Sequence, residues 1–416
     1  MSVILHIDFD SYFVNAIKTI KPNLKNRPMV CARTTTNAIA LSMTYDIKKF
    51  GFKAGALVSE IRKKVPNLVV VQPIYSLFST LSSNIFAYFY NKISKRIDIA
   101  SIDECYIDIT DKIESLDKAL EYAKKIQQEV LEKFKIPISI GVSYNKFFAK
   151  MTTNLIKPFN VGLTDQNNYQ ENFWNLPIES FHGIGRRTAP KLKELGILTI
   201  GDLAQYKDKT SFLKDVFGKN AKEIIECLNP TKQERIPFAQ KEDPKGIGKE
   251  ISFDSNENIL DDHEEILRSI TYELIEKLEI KKLVCKTITV IARDKNKKWI
   301  SKQMKLSLFT QKEEEILPSV IKIYRENFAN KEWKGLGVRL TDLQDAHQTY
   351  QPVNLFNNQV KTELDIPKNS SVSHLILKIN SKIGSKNAMT LKQYQEKQKK
   401  EKEDNFFESS GGIFKK

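Results

Sequence analysis

Residues 96–110 read Arg96-Ile97-Asp98-Ile99-Ala100-Ser101-Ile102-Asp103-Glu104-Cys105-Tyr106-Ile107-Asp108-Ile109-Thr110. Two Ile-rich arms flank a short polar stretch, which predicts a β-hairpin with Asp103-Glu104 near its turn. Upstream, residues 2–10 alternate, with Val3, Leu5, Ile7 and Phe9 on one face and Ile4, His6, Asp8 and Asp10 on the other. That period of two predicts a strand with one packed face and one face presenting carboxylates. A helix should run from about residue 10 to 20 and stop at Lys21-Pro22, because proline restricts the residue before it. Residues 29–72 mix short strands with small helices, and 75–95 read as a helix rich in Phe, Tyr, Ile and Leu. A helix over about 115–134 and a strand over 136–142 complete the pattern. If 29–72 is an insertion, residues 2–142 follow a β-α-β-β-α-β order, which is ferredoxin-like.

The rest of the chain divides by texture. Residues 168–235 are helical with short loops, and Phe181-His182-Gly183-Ile184-Gly185-Arg186-Arg187 falls between two helices. After a Pro/Gly-marked linker at about 236–246, a second β-α-β-β-α-β pattern appears. Its strands lie near 247–253, 284–293, 300–309 and 335–343, and its helices near 261–280 and 312–329. From about residue 345 the pattern decays, with a mixed Lys/Glu/Gln run at 391–404 and a Ser-Ser-Gly-Gly stretch at 409–412. The expected class is α+β and multidomain. A length of 416 residues fits that division, since a domain takes roughly 100–200.

Composition narrows the function classes. Lys+Arg 66 against Asp+Glu 51 gives a formal net charge of +15, which points to a polyanionic partner such as nucleic acid. The cations are 55 Lys and only 11 Arg, so an AT-rich coding bias explains the number equally well. Cys31, Cys105, Cys227 and Cys285 are scattered, which disfavours a disulfide scaffold or a zinc site and suits a reducing cytoplasm. The first residues lack a basic region and meet an acid early, unlike a secretory signal. No apolar run approaches the roughly 20 residues that cross a membrane. A cytoplasmic protein is the expectation.

Asp8, Asp10, Asp103 and Glu104 carry the chemistry. A strand with Asp-Phe-Asp and a hairpin with Asp-Glu can bring carboxylates together, and hard oxygen ligands of this kind suit Mg²⁺. Two such ions can clamp the attacking and leaving oxygens of a phosphoryl displacement. Period-two geometry places Asp8 and Asp10 on one face and so nominates both. Asp103 and Glu104 are adjacent, so a flat strand would point them apart. Both reach metal only if the hairpin end is twisted or one of them arrives from the side, which is the expectation.

Asp8-Phe9-Asp10-Ser11-Tyr12-Phe13, Tyr45-Asp46-Ile47-Lys48-Lys49-Phe50-Gly51, Ser101-Ile102-Asp103-Glu104-Cys105-Tyr106-Ile107-Asp108 and Lys157-Pro158 occur in that order. Together they resemble the Y-family translesion DNA polymerases, especially the bacterial polymerase IV and UmuC branch, over residues 2 to about 343. The resemblance implies a right-hand architecture. A palm would comprise 1–28 and 73–167, fingers 29–72, and a helix-hairpin-helix thumb 168–236. A linker at 237–246, a βαββαβ little finger at 247–344 and a tail at 345–416 would follow. It implies template-directed addition of dNTPs to a primer 3′-hydroxyl, with low-fidelity synthesis in damage tolerance.

The same resemblance implies roles. Asp8, Asp103 and Glu104, with the Phe9 carbonyl, would hold two Mg²⁺ ions, leaving Asp10 as a supporting acid. Ser11, Tyr12, Phe13, Ser42, Tyr45, Lys48 and Lys157 would line the nucleotide site, with Phe13 as the steric gate under the sugar. Lys48 departs from the family's usual Arg, exchanging a planar fork for a point charge. The run after Lys157-Pro158 is longer than the family's compact turn. Gly183, Ile184 and Gly185 would let backbone amides approach a DNA phosphate, independently of sequence. Gln351, Val353, Leu355 and Phe356, within Tyr350-Gln351-Pro352-Val353-Asn354-Leu355-Phe356, resemble a sliding-clamp peptide. The implied partners are primer–template DNA, dNTPs and the clamp, for a chain acting as a monomer. Two other readings stand beside this one: a palm-type nucleotidyl cyclase and a non-catalytic, clamp-tethered relative.

Overall fold

A computed structural model describes residues 1–35, 37–206, 213–229, 231–239, 244–253, 263–329 and 331–347. The clamp-like residues Gln351, Val353, Leu355 and Phe356, the run at 391–404 and part of the linker lie outside these. The chain forms two units, Met1–Gln240 and Lys241–Lys416.

The first unit opens with β1 (Ile4–Phe9) and α1 (Tyr12–Ile20). The turn between them places Ser11 in the left-handed region at φ 45°. β2 (Met29–Cys31), β3 (Ser42–Met43), α2 (Tyr45–Lys48), α3 (Val58–Lys64) and β4 (Val69–Val71) follow. They build a separate three-stranded sheet in the order β3-β2-β4, with its own core of Val30, Ala40, Met43, Ile47 and Ile61. α4 (Tyr75–Tyr88) continues as a π-helical turn over Phe89–Ile93. Then come β5 (Ile97–Ile99), β6 (Glu104–Asp108), α5 (Leu116–Phe134), β7 (Ile138–Ser143), α6 (Lys146–Ile156) and β8 (Val161–Leu163).

The main sheet has the order β5-β6-β1-β7-β8. Its first four strands show the ferredoxin-like arrangement that the sequence pattern predicts. β8 is an addition that periodicity did not reveal, paired in parallel to β7. Because side chains alternate across a strand, Leu5 and Ile7 join the large core on the α5 side. α5 contributes Leu116, Ala119, Ala123, Ile126 and Val130 at helical spacing. Its start is fixed by Ser115, whose hydroxyl accepts from Lys118 N at 3.3 Å. Ile4 and His6 face α6 instead: Ile4 packs with Tyr106, Ala149 and Ile236, and His6 bonds Thr153.

Short helices α7 (Tyr169–Phe173), α8 (Ala189–Glu194), α9 (Ile200–Gln205), α10 (Lys214–Phe217) and α11 (Ala221–Cys227) extend the same core. Residues 231–239 then return along the main sheet. Arg235 donates to Asp108 and Asp111 at 2.7 Å each, Ile236 N donates to Asp108 at 3.1 Å, and the Ile236 side chain is buried.

The second unit contains β9 (Gly246–Ser252), α12 (His263–Lys281), β10 (Leu283–Arg293), β11 (Trp299–Thr310), α13 (Glu313–Asn327), β12 (Gly335–Thr341) and β13 (Gln344–Asp345). The β-α-β-β-α-β order expected there is present, but the strand order β11-β10-β12-β9 differs from that of the first sheet. α12 and α13 bury one face against Ile288, Val290, Leu336, Val338 and Leu340. The opposite face carries Thr289, Arg293, Gln303, Lys305 and Arg339, which the register sets side by side.

Gly141 shows how tightly α6 is seated on β7. A Cβ there would stand 2.1 Å from the Ala149 carbonyl oxygen and 2.7 Å from Thr153 N, both backbone atoms of α6. Gly141→Ala should therefore destabilise the first unit by about 3 kcal/mol, the upper end for overpacking. Chemical denaturation followed by a first-unit probe such as Trp174 checks this, and a loss below about 0.5 kcal/mol would contradict the packing described.

Candidate active site

The site lies where β1 leaves the sheet. Asp8 stands opposite Glu104 in the β1–β6 register and opposite Ser139 in the β1–β7 register. Asp103 is not in a strand: β6 begins at Glu104, and the bend before it carries Asp103 to one side. Phe9 N donates to the Asp103 carbonyl at 2.8 Å, Ser101 Oγ donates to the Asp103 carboxylate at 2.6 Å, and Ser82 Oγ anchors the Ile102 carbonyl at 2.6 Å. The adjacent acids thus face different ways, with Asp103 lining a pocket and Glu104 pointing toward α6.

The pocket holds about 240 Å³ of water-accessible space. Asp8, Phe9, Ser11, Tyr12, Phe13 and Asp103 border it from the main sheet and α1; Ser42, Tyr45 and Lys48 border it from the insertion, and Lys157 from the loop after α6. The fold therefore gathers on one cavity every nucleotide-contact candidate named from the sequence. Phe13 stacks on Phe78 at 4.5 Å with an interplanar angle of 13°, and the Tyr12 hydroxyl donates to the Phe78 carbonyl at 2.5 Å. Lys48 lies 4.1 Å from the centre of the Tyr45 ring, a cation–π distance. Burial and the nearby Lys157 ammonium both push the Lys48 amine down.

Each acid has a distinct partner. Asp8 pairs with Lys157 Nζ at 2.6 Å. Burial pushes its carboxyl up, Lys157 opposes that, and the like charge of Asp103 adds to it. Glu104 pairs with Lys150, a lysine on α6 that is only 9% exposed, and sits 3.8 Å from His6 Nε2. The neighbouring imidazole and Lys150 hold the Glu104 carboxyl at about 2 despite the cost of burial. Asp8 and Asp10 both face the 157–159 loop, as alternation requires. Only Asp8 reaches the pocket, whereas Asp10 is buried and turned onto Ser139, Tyr45 and Phe159 N.

The donor set fits a hard divalent cation: carboxylates from Asp8 and Asp103 border one cavity with Phe9, and Glu104 is next in line. Among the described residues no three His, Cys, Asp or Glu side chains already close on a common point. Lysine charge balances the acids instead, and a cation binding at Asp8 would displace Lys157.

Gly183 and Gly185 lie between Ile178–Ser180 and α8, with Gly183 at φ 100° and open space where either Cβ would stand. Ile184 between them is buried and anchors the turn. His6, Lys150 and Ser139 were missed in the sequence. His6 shares the Asp8 face and could have been read from alternation. Lys150 carried only one faint signal, a cation between the apolar residues Phe147-Phe148-Ala149 and Met151.

Three family models match the chain. The impB/mucB/samB family covers residues 7–154, its C-terminal domain 244–352, and the IMS family HHH motif 167–197. The chain is 26% identical to DNA polymerase IV of Bacillus velezensis over 92% of this chain and 91% of that relative. It is 27% identical to DNA polymerase IV 1 of Bacillus subtilis over 95% of each. Among solved structures, a Y-family DNA polymerase chimera of Dbh and Dpo4 aligns with TM-score 0.71 and 26% identity, over 82% of this chain and 98% of that one. DinB from Sulfolobus solfataricus aligns with TM-score 0.56 at the same identity and coverage.

Burial lowers the His6 imidazole from 6.5 to about 4. Between those values the unfolded chain takes up a proton that the folded one refuses, so stability falls as pH drops from 6.5 toward 4. The loss should be of the order of 3 kcal/mol for the first unit. Histidine NMR titration should find one imidazole with a midpoint below pH 5, and His6→Gln should flatten the acid limb of the stability curve. A normal midpoint near 6.5 for His6 would contradict its burial.

Proposed function

Because the chain belongs to the Y family of DNA polymerases, an assignment that makes it a DNA-directed DNA polymerase of translesion type, we propose how its own residues carry out the reaction. The observation that carries the reading is the single pocket shared by Asp8, Asp103, Phe13, Tyr45, Lys48 and Lys157.

The family depends on a divalent metal, and here Mg²⁺ at two positions is proposed, held by Asp8, Asp103, Glu104 and the Phe9 carbonyl. When bound, such ions lower the pKa of a hydroxyl and neutralise a triphosphate. Lys48 and Lys157 provide two cations for the dNTP triphosphate, with Tyr45 and Ser42 beside them. The primer 3′-hydroxyl forms a bond to the α-phosphorus, the bond to pyrophosphate breaks, and the hydroxyl proton leaves to solvent. Lys157 moves from Asp8 to the triphosphate as the nucleotide enters, so one cation serves the resting site and the loaded one. Lys48 gives the phosphates a point charge where a fork would hold two oxygens.

Phe13 closes the sugar end of the pocket. Its stacking on Phe78 keeps the ring from turning aside, so a ribose 2′-hydroxyl would meet a rigid wall. The helix-hairpin-helix at Gly183–Gly185 and the open face of the second unit's sheet are proposed to hold primer–template through its phosphates. The clamp peptide at Gln351–Phe356 and a monomeric state in the cytoplasm complete the proposal.

Primer extension with purified protein tests the reading. The wild type should extend a primer with dNTPs and Mg²⁺, and Asp103→Ala/Glu104→Ala should reduce extension by at least about 1,000-fold. Extension by that double variant at the wild-type rate would overturn the assignment of the acids, and extension by neither protein would overturn the polymerase reading itself. Phe13→Ala should admit ribonucleotides, raising the NTP-to-dNTP ratio of kcat/KM by about 100-fold or more. Unchanged sugar selection would remove Phe13 as the gate.

A further inference from the structure

Asp10 is a buried carboxylate that the reaction above does not use. Its relative exposure is 2%. Three donors converge on it: Ser139 Oγ at 3.0 Å from Oδ1 and 2.9 Å from Oδ2, Phe159 N at 2.8 Å from Oδ2, and the Tyr45 hydroxyl at 3.2 Å from Oδ1. An ionised carboxylate has about four acceptor positions, and three donors with one proton each engage both of its oxygens. Both Asp10 oxygens are thus committed to protein donors, although it shares the Asp-x-Asp pattern with Asp8. It also does not line the pocket, whereas Tyr45 and Lys157 do.

The three donors come from three places. Ser139 is on β7 in the main sheet, Tyr45 opens α2 in the inserted sheet, and Phe159 lies in the loop that carries Lys157. Phe159 has a left-handed backbone at φ 49°, which aims its N–H inward at the carboxylate. The loop is fixed again one residue on, where Ile140 N donates to the Asn160 carbonyl at 2.9 Å.

We infer that Asp10 is a positioning residue that ties Tyr45 of the insertion and the Lys157–Phe159 loop to the main sheet, so that Lys48, seated on the Tyr45 ring, and Lys157 are held toward the triphosphate of an incoming nucleotide. The inference rests on the nucleotide reading of the pocket. Removing the carboxylate leaves Asp8, Asp103 and Glu104 in place but frees the insertion and the Lys157 loop from a common anchor. It should weaken nucleotide binding and leave the chemical step nearly untouched.

The test combines dNTP titration of the primer–template complex, using a 3′-dideoxy primer, with single-nucleotide kinetics on an extendable primer. Variants are Asp10→Asn, Ser139→Ala, Tyr45→Phe and the Asp10→Asn/Tyr45→Phe pair. Asp10→Asn should raise the dNTP Kd and KM by about 10-fold, the scale of a lost hydrogen bond to a charged group, with kcat within about 2-fold. The double variant should be no weaker than Asp10→Asn alone, which already breaks the Tyr45 link. An unchanged Kd in Asp10→Asn, effects that multiply in the double variant, or a collapse of kcat matching Asp8→Asn would each overturn the inference. If Asp10→Asn does not fold, Ser139→Ala decides, because it lies outside the pocket. A severalfold rise in Kd supports the role and no change overturns it. A wild type that binds dNTP without extending primers refutes the polymerase reading alone, and the Kd ratios still judge Asp10.

Discussion

The antiparallel pairing of β1 with β6, in the register that sets Asp8 opposite Glu104, is the constraint on which the site depends. On one face of that pair, three cross-strand couples follow in line. Ile4 and Asp108 receive the returning segment through Ile236 and Arg235, and His6 and Tyr106 fill the middle with rings 4.8 Å apart. Asp8 and Glu104 end the row, Asp8 at the pocket and Glu104 against Lys150 of α6. A slip of one residue would turn every member to the opposite face. Such a slip is resisted by burial on both faces, by Gly141 under α6, and by Arg235 on Asp108. The stability of the core and the placement of the acids are thus one property.

Electrostatics adds a second condition. Carboxylates so poorly solvated would repel one another and take up protons without compensation. Lys157 on Asp8 and Lys150 on Glu104 provide it. The two lysines are not equivalent. Lys150 is buried on a helix, while Lys157 sits on a loop at the pocket edge. The formal charge of +15 accordingly has a local exception: a small acidic centre whose charge is met by its own lysines until metal and nucleotide arrive.

Much of this was legible in the sequence, for physical reasons that differ by element. Strict alternation in residues 2–10 gave β1 and its two faces, because one face is apolar throughout. Helix α5 could be read from its 3.6-residue apolar spacing and its Ser115 cap. β8 could not, since Val161-Gly162-Leu163 is too short to show a period, and it forms only because β7 offers a free edge. Asp8 and Asp10 were inseparable by pattern, as both obey the same alternation. What divides them is the set of long-range donors around Asp10, and no local signal in residues 8–10 reports on Ser139, Tyr45 or Phe159. Lys150 was hidden by the abundance of lysine, which makes any single one uninformative.

The central claim is that the acids at the end of β1 and β6 form a metal site completed by a nucleotide. Titrating Mn²⁺ into the protein with primer–template and a non-hydrolysable dNTP analogue, followed by electron paramagnetic resonance, tests this most directly. The account predicts bound Mn²⁺ that requires the nucleotide analogue and is lost in Asp8→Asn and in Asp103→Asn. Mn²⁺ binding that is indifferent to both substitutions would contradict it.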